Sequence, residues 1–175
     1  MTDNATTCHP EKSNMQPHAP NKRLDVRSIS SRLTPDARRA RQRILAHTLA
    51  LGRPINIGKD HGLASAQEIQ ELLAQKAMVV DDQGNVPFIY PVSALPTHHR
   101  VTLADGRTFS AMCAIDAMGA TFTFGQDTAI QSKCSVCNEP VRLGLRQGQI
   151  AQAAPADIHV LHMDLNQLTD WAAGC

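Results

Sequence analysis

The chain has 175 residues and a formal net charge of +1, with 17 basic and 16 acidic side chains. This length can bury a core without disulfide staples, and the balanced charge gives no reason to expect nucleic acid or an anionic membrane as a partner. The N-terminus lacks the apolar run of a secretory signal, and no stretch is long enough to span a bilayer. With an odd number of cysteines, five, the sequence predicts a cytoplasmic protein with reduced thiols.

Residues 1–33 are rich in Asn, Pro, Ser, Thr and His and have no sustained apolar period. This composition predicts a disordered tail. Cys8 and His9 lie in it, and adventitious metal binding is the most that we expect of them.

Residues 34–96 are predicted to form a mainly helical domain. Thr34 and Pro35 are typical of the N-cap and first position of a helix that Gly52 ends, and Ser65 is the cap expected for another long helix. A short helix or turn is expected between them, at residues 60–63. The first helix carries arginines that we expect to form a solvated face: Arg38, Arg39, Arg41 and Arg43.

A turn at residues 81–85 and a strand at 86–92, which its prolines place at a sheet edge, follow the helices. Helix, short helix, helix and hairpin is the order of a winged helix-turn-helix, a unit that often binds DNA. The last of these helices is rich in Gln and Glu and has Lys76 as its basic residue, which makes a poor surface for phosphate. A metal-responsive winged-helix DNA-binding regulator is therefore a rival hypothesis, and we expect no nucleic-acid partner.

Residues 97–175 change to an alternating pattern, which predicts a small, mainly antiparallel sheet with one or two helices. Asp105-Gly106 predicts a hairpin between two strands. Further strands are expected at 121–124, 128–133, 141–146 and 158–163, and a last helix would lead to Cys175. The fold class predicted is α+β, with a tail, a winged-helix-like helical unit and a sheet domain.

The chemistry is expected at residues 112–119, a run of good helix formers that ends at Gly119 and predicts a helix of about two turns. Residues three apart share a helix face, which puts the Cys113 thiol beside the Asp116 carboxyl. A thiol is a soft metal ligand, and an apolar wall raises the pKa of a carboxyl. The wall candidates are Met112, Ile115, Met118 and Phe122. The competing interpretation is a cysteine that only fills space and a solvated acid.

Several segments resemble the organomercurial (alkylmercury) lyases. They are MCAIDAMG at 112–119, LALGRPI at 49–55, the DDQGN turn at 81–85, the spacing from Asp116 to Cys134, Pro140, and the final Cys175. The resemblance implies protonolytic cleavage of a carbon–mercury bond, giving a hydrocarbon and Hg(II), in mercury detoxification. It implies no organic cofactor, external thiols for turnover, and a mercuric reductase as acceptor of Hg(II).

The same resemblance implies roles for single residues. Cys113 and Cys175 would be the mercury-binding thiolates, Asp116 the proton carrier and Cys134 a structural residue. The family pattern continues beyond the second catalytic cysteine, whereas this sequence ends at Cys175. We therefore expect a fragment or a shortened relative with impaired activity.

Cys134 and Cys137 form a Cys-x-x-Cys pair with three open interpretations. Their sulfurs could pack in a turn, or form half of a structural zinc site completed by His159 and His162, or accept Hg(II) from the catalytic pair. Two histidines at this spacing in a strand would point to opposite faces, which weakens the zinc interpretation. A thiol-rich metal-binding protein without catalysis is the second rival to the lyase hypothesis.

Overall fold

The computed structural model describes residues 29–160. The helices are α1 (Ile29–Arg32), α2 (Pro35–Leu51), α3 (Ala66–Ala74) and α4 (Ala114–Phe124). The strands are β1 (Ile55–Asn56), β2 (Met78–Val79), β3 (Asn85–Val86), β4 (Phe88–Ile89), β5 (Val92–Ser93), β6 (His99–Leu103), β7 (Thr108–Ala111), β8 (Thr128–Lys133), β9 (Pro140–Arg146) and β10 (Gln149–Ala154).

Capping residues begin the two longer helices of the first half, and Gly52 ends the first of them, as predicted. The Thr34 hydroxyl accepts the N–H of Ala37 at the start of α2, and Gly52 ends that helix in the left-handed region at φ 63°. Ser65 and Glu68 form a reciprocal capping box at the start of α3. The two helices are tied together because the Thr34 N–H and hydroxyl donate to the Glu71 carboxylate at 2.6 and 2.9 Å.

Arg41 corrects the expectation of a solvated arginine face on α2. Its side chain is 4% exposed and lies on the same face as Ala37, Ile44 and Thr48, which are also buried. Residues three and four apart share a helix face, so this arginine occupies a core position. Arg38, Arg39 and Arg43 are exposed, as expected.

Eight strands form one antiparallel sheet in the order β10-β9-β8-β6-β7-β5-β4-β2, and β1 pairs with β3 separately. The predicted Asp105-Gly106 hairpin joins β6 and β7, with Val101 opposite Phe109. The α+β class is confirmed as a mixture of helices and antiparallel sheet. Strands on both sides of residue 96 share the large sheet, and one core extends from Leu33 to Leu145. The domain boundaries stay predictions.

The helix after Cys113 is longer than predicted. Residues 121–124 belong to α4 rather than to a strand, and the helix continues past Gly119 to Gly125, which ends it at φ 62°. A four-residue alternation is too short to distinguish a strand from the end of a helix. The N–H of Gly125 bonds to the Thr121 carbonyl, so the left-handed glycine supplies the stop signal.

Other differences lie at the two ends of the described residues. Ile29–Arg32 are helical and Leu33 is buried, so these last residues of the predicted tail belong to the described fold. Strand β10 was not predicted, because QIAQAA does not alternate clearly. Residues 158–160 are not in a strand, and the rest of the predicted strand to 163 and the last helix lie outside the described residues.

Helix α4 packs on one face of the large sheet, against β6, β7 and β8. Ala117 and Ala120 are fully buried in this contact, and small side chains allow the helix to approach closely. Strand β7 ends at Ala111, so two residues connect it to the first residue of α4. Within residues 29–160, no helix is long and apolar enough to cross a membrane.

Candidate active site

The N-terminus of α4 brings Cys113 and Asp116 into contact, as the spacing predicted. Cys113 is the N-cap residue, with extended backbone at φ −139° and ψ 176°. The Asp116 carboxylate accepts hydrogen bonds from both the thiol and the backbone N–H of Cys113. An acid at the third helical position returns to the N-cap N–H in a capping box, so the local helix geometry fixes this contact.

Asp116 is a buried carboxyl, with 7% of its surface exposed. Its Oδ2 atom has no hydrogen-bond partner among the described residues. Burial disfavours the charged form and raises the pKa of Asp116 to about 6, although the two hydrogen bonds from Cys113 oppose the change. The carboxyl can therefore gain and release a proton close to neutral pH.

Tyr90 lies beside this pair and Arg41 contacts Tyr90, and no sequence pattern predicted either residue as part of the site. Burial raises the pKa of Tyr90, and the negative charges of Asp116 and Cys113 raise it further, whereas Arg41 lowers it. These electrostatic interactions place the phenol near both members of the pair. The signal that could have found Arg41 is its position between Ala37 and Thr48 on the apolar stripe of α2.

One of the four residues predicted as a wall around Asp116, Phe122, does not face it. Phe122 is 71% exposed, since six residues along a helix turn its side chain away from Asp116. A Cβ at Gly148 would lie 2.9 Å from the Phe122 ring, so this ring packs over the β9–β10 turn. Met112, Ile115 and Met118 are half-buried, and Met118 packs against the core.

An open cleft of about 470 Å³ is lined by Met112, the residue that directly precedes Cys113 in the chain. The other lining residues are Pro96, Thr97, His98 and His99. His99 Nδ1 lies 2.8 Å from Ser132 Oγ, which fixes the orientation of the ring. Burial lowers the pKa of His99, and the neighbouring His98 lowers it further, so this imidazole is neutral near pH 7.

Cys134 and Cys137 occupy the turn between β8 and β9. The pKa of the Cys134 thiol is lowered because its sulfur accepts hydrogen bonds from the N–H groups of Cys137 and Val136. Cys137 takes part in a disulfide, which differs from the prediction of reduced thiols throughout and removes it as a thiolate ligand in this form. The structural role of Cys134 and the acceptance of Hg(II) by this pair stay predictions.

The remaining predicted site residues are only partly within the described part of the chain. Cys8, His162 and Cys175 lie outside it, and His159 is exposed. Among residues 29–160, no three His, Cys, Asp or Glu side chains come together as a metal site. The zinc site with His159 and His162, and the role of Cys175, therefore stay predictions.

The part of the chain that contains Cys113 and Asp116 is similar to known proteins. Residues 92–175 match the family model of alkylmercury lyase, MerB. This part of the chain, slightly less than half of it, is therefore similar to the alkylmercury lyases. The matched residues include Cys113, Asp116, Cys134 and Cys175, whereas α2, α3 and Tyr90 precede the match.

Two alkylmercury lyases, from Bacillus cereus and Clostridium butyricum, are each 28% identical to this chain over 118 residues. The alignment covers 65% of this chain and 53% of each relative, so the chain spans about half the length of the curated relatives that it matches. The crystal structure of the mercury-bound form of MerB2 is similar over 70% of this chain and 69% of its own, with 21% sequence identity and a TM-score of 0.47.

Proposed function

We propose that this chain is an organomercurial lyase, which cleaves a carbon–mercury bond by protonolysis and gives a hydrocarbon and Hg(II). One observation supports this most strongly. At the start of α4, the Cys113 thiol donates a hydrogen bond to a buried carboxyl whose pKa is about 6. This pair lies within the residues that match the alkylmercury lyase family.

Mercury capture is the first proposed step. Mercury is a soft metal, so thiolates bind it in preference to oxygen or imidazole ligands. The Cys175 thiolate displaces the counter-ligand of the substrate R–Hg–X and releases X⁻. The Cys113 thiol passes its proton to Asp116 along the existing hydrogen bond, and the Cys113 thiolate then becomes the second sulfur ligand.

Bond cleavage is the second step. Donation from two thiolates raises the electron density on mercury and weakens its bond to carbon. The protonated Asp116 gives its proton to the departing carbon, so that R–H leaves and the carboxylate is restored. Mercury remains as a bis-thiolate complex of Cys113 and Cys175, and external thiols remove it.

Asp116 suits this cycle because its pKa of about 6 lies near the operating pH. A general acid and base works best when both protonation states are accessible, and typical contributions are about 10²–10⁴-fold in rate. An exposed aspartate with an ordinary pKa of about 3.9 would hold a proton at neutral pH less than about 0.1% of the time.

The substrate is a small organomercurial, and the cleft lined by Met112 and residues 96–99 is the proposed entrance for it. Met112 directly precedes Cys113, so a ligand in this cleft would lie close to the thiol. The proposal includes mercury detoxification in the cytoplasm, no organic cofactor, and a mercuric reductase as acceptor of Hg(II).

Residues 34–96 are proposed as a winged-helix-like unit that does not bind DNA, beside the mercury-binding domain of residues 97–175. The order of α2, α3 and the short strands supports this. The α3 surface is unsuited to phosphate, because Glu68 lies 3.4 Å from Arg43 and Glu71 binds Thr34. Tight, sequence-dependent DNA binding would instead support a metal-responsive regulator.

A thiol metal-binding protein without catalysis is the second candidate function. Mercury is a soft metal that thiolates bind without any proton carrier, so this function requires Cys113 but not Asp116. In that case Hg(II) would bind to the purified chain, but no hydrocarbon would form.

Cys113→Ser tests the proposed lyase function. We expect it to abolish hydrocarbon release from an aryl mercurial in the presence of excess small thiol, because a hydroxyl is a hard and poor ligand for mercury. Headspace gas chromatography measures the hydrocarbon. Cys8→Ser is the matched control and should match the wild type. Equal rates in Cys113→Ser and the wild type would exclude this mechanism.

A further inference from the structure

Gly119 lies one turn after Asp116 on the buried side of α4. Helix geometry puts residues 116 and 119 on the same face. A Cβ at Gly119 would overlap the Tyr90 hydroxyl oxygen and would lie 3.0 Å from the ring atom Cζ. The phenol end of Tyr90 therefore fills the space beside Asp116 that a side chain at position 119 would occupy.

Glycine at position 119 lowers the stability of α4, so its presence there needs a structural reason. Glycine inside a helix is less favourable than alanine, because its backbone loses more conformational freedom on folding. Gly119 has no positive φ that would require glycine, whereas Gly125 at the end of the same helix does. The close approach of Tyr90 is the feature of the fold that requires Gly119.

Arg41 holds Tyr90 in this position from the side of α2. Its Nη2 and Nε atoms donate to the Tyr90 carbonyl at 2.5 and 3.2 Å. Its guanidinium carbon lies 5.5 Å from the centre of the Tyr90 ring, a cation–π distance. Burial lowers the pKa of Arg41 to about 10, so the guanidinium remains charged at neutral pH. Both the backbone and the ring of Tyr90 are thereby fixed.

The titratable groups around Asp116 come from three elements. Cys113 lies on its own helix, Tyr90 precedes β5, and Arg41 stands behind Tyr90 on α2. On the strands that pack against α4, His99 is a neutral imidazole near pH 7. The charged side chains of these strands are exposed: Arg100, Lys133, Arg142 and Arg146. The environment of the Asp116 carboxyl is therefore determined by burial rather than by nearby charges. Tyr90 is the polar ring next to it.

We propose that Tyr90 is a positioning residue of this site, which excludes water from the buried side of Asp116 and keeps the carboxyl beside the Cys113 thiol. Arg41 and Gly119 support it by holding the ring and by leaving room for it. The part that concerns carbon protonation rests on the proposed lyase function, but the effect of Tyr90 on the carboxyl does not.

Tyr90→Leu is the direct test, because leucine keeps much of the buried apolar volume but does not reach Gly119. We expect water to enter beside Asp116, and the pKa of its carboxyl to fall by one unit or more towards the ordinary value of about 3.9. Carbon-13 NMR titration of the aspartate carboxyl carbons, with Asp116→Asn for assignment, measures this pKa. Tyr90→Phe retains the ring and should leave it nearly unchanged.

Gly119→Ala provides a second variant if Tyr90→Leu fails to fold. Its methyl group displaces the phenol, so the pKa of Asp116 should again fall. Phe122→Leu is the matched control on α4, because this exposed ring is turned away from the site, and it should leave the pKa unchanged. An unchanged Asp116 pKa in a folded Tyr90→Leu or Gly119→Ala protein would overturn the proposal.

Activity is a separate measurement in the same proteins. If the wild type releases hydrocarbon, the acidic limb of its pH–rate profile should move with the Asp116 pKa in each variant. If the wild type releases none, the lyase function fails, yet the NMR titration still decides whether Tyr90 controls the carboxyl.

Discussion

The burial of Asp116 favours its proposed function but opposes the stability of the protein. Burial raises its pKa to about 6, which makes it a usable proton carrier near neutral pH. The same burial makes the ionised carboxylate costly, since its Oδ2 atom lacks a hydrogen-bond partner among the described residues. A site of this kind is expected to reduce stability in the pH range where it functions.

The pH dependence of stability should reveal this cost. A carboxyl whose folded pKa is raised contributes fully to stability below its unfolded pKa of about 3.9, and the contribution is lost as the pH rises through about 6. The difference amounts to about 3 kcal/mol at pH 7. Urea unfolding at pH 4 and pH 7 measures the free energy of unfolding. Between these two pH values, Asp116→Asn should lose less of this free energy than the wild type does, by up to about 3 kcal/mol.

Asp105→Asn is the matched control for that comparison. Asp105 is an exposed carboxyl paired with Arg107, and this pairing lowers its pKa, so its contribution is lost as the pH falls. The two variants should therefore change the pH dependence in opposite directions. Parallel stability curves for Asp116→Asn and the wild type would show that the carboxyl is not perturbed.

Sequence patterns predicted the residues of this site that are close in the chain. Cys113 and Asp116 are three apart, and helix geometry alone brings them together. Tyr90 is 29 positions before Gly119, and no local pattern indicates a contact over that separation. Arg41 was misassigned because charged side chains on a helix are usually solvated, although its spacing places it on the apolar face.

At the level of the elements, capping chemistry sets the helix boundaries that could be predicted. The Ser65 hydroxyl accepts the Glu68 N–H at 3.3 Å, and the Glu68 carboxylate accepts the Ser65 N–H at 2.6 Å. These local signals are present in the sequence and are independent of the rest of the fold. Helix α4 has no side-chain cap from Cys113, and it continues past Gly119, where its end was predicted, to Gly125.

Ser65→Ala should lower the free energy of unfolding by about 1 kcal/mol, because it leaves the Glu68 N–H without its cap. Chemical denaturation with urea, followed by circular dichroism, measures this value. Ser135→Ala, in the exposed turn between β8 and β9, is the control and should have almost no effect. If both variants unfold at the same urea concentration, the capping box contributes nothing to stability.

At the level of the whole molecule, the candidate site lies where the residues before and after residue 92 meet. The family match begins at residue 92, but Tyr90, which neighbours Asp116, and Arg41, which contacts Tyr90, both precede it. One sheet and one core include residues from both parts. The helical first half therefore contributes to the geometry of the site, in addition to its own packing.

Composition and alternation predicted the α+β class but not how the strands are ordered. The order β8-β6-β7-β5 requires β8 to pair with β6 after the chain has passed through α4. This pairing depends on tertiary packing of α4 against the sheet, which short-range patterns do not specify. The longer alternating segments at 128–133 and 141–146 nevertheless agree with β8 and β9.

The most direct test of the proposed function compares the wild type with Asp116→Asn. Both proteins would be given an aryl mercurial and excess small thiol at pH 7, with hydrocarbon release and Hg(II) binding measured in each. We expect the variant to release hydrocarbon at least about 100-fold more slowly while it binds Hg(II) as well as the wild type does. Equal rates of hydrocarbon release would contradict the role of Asp116 as the proton carrier.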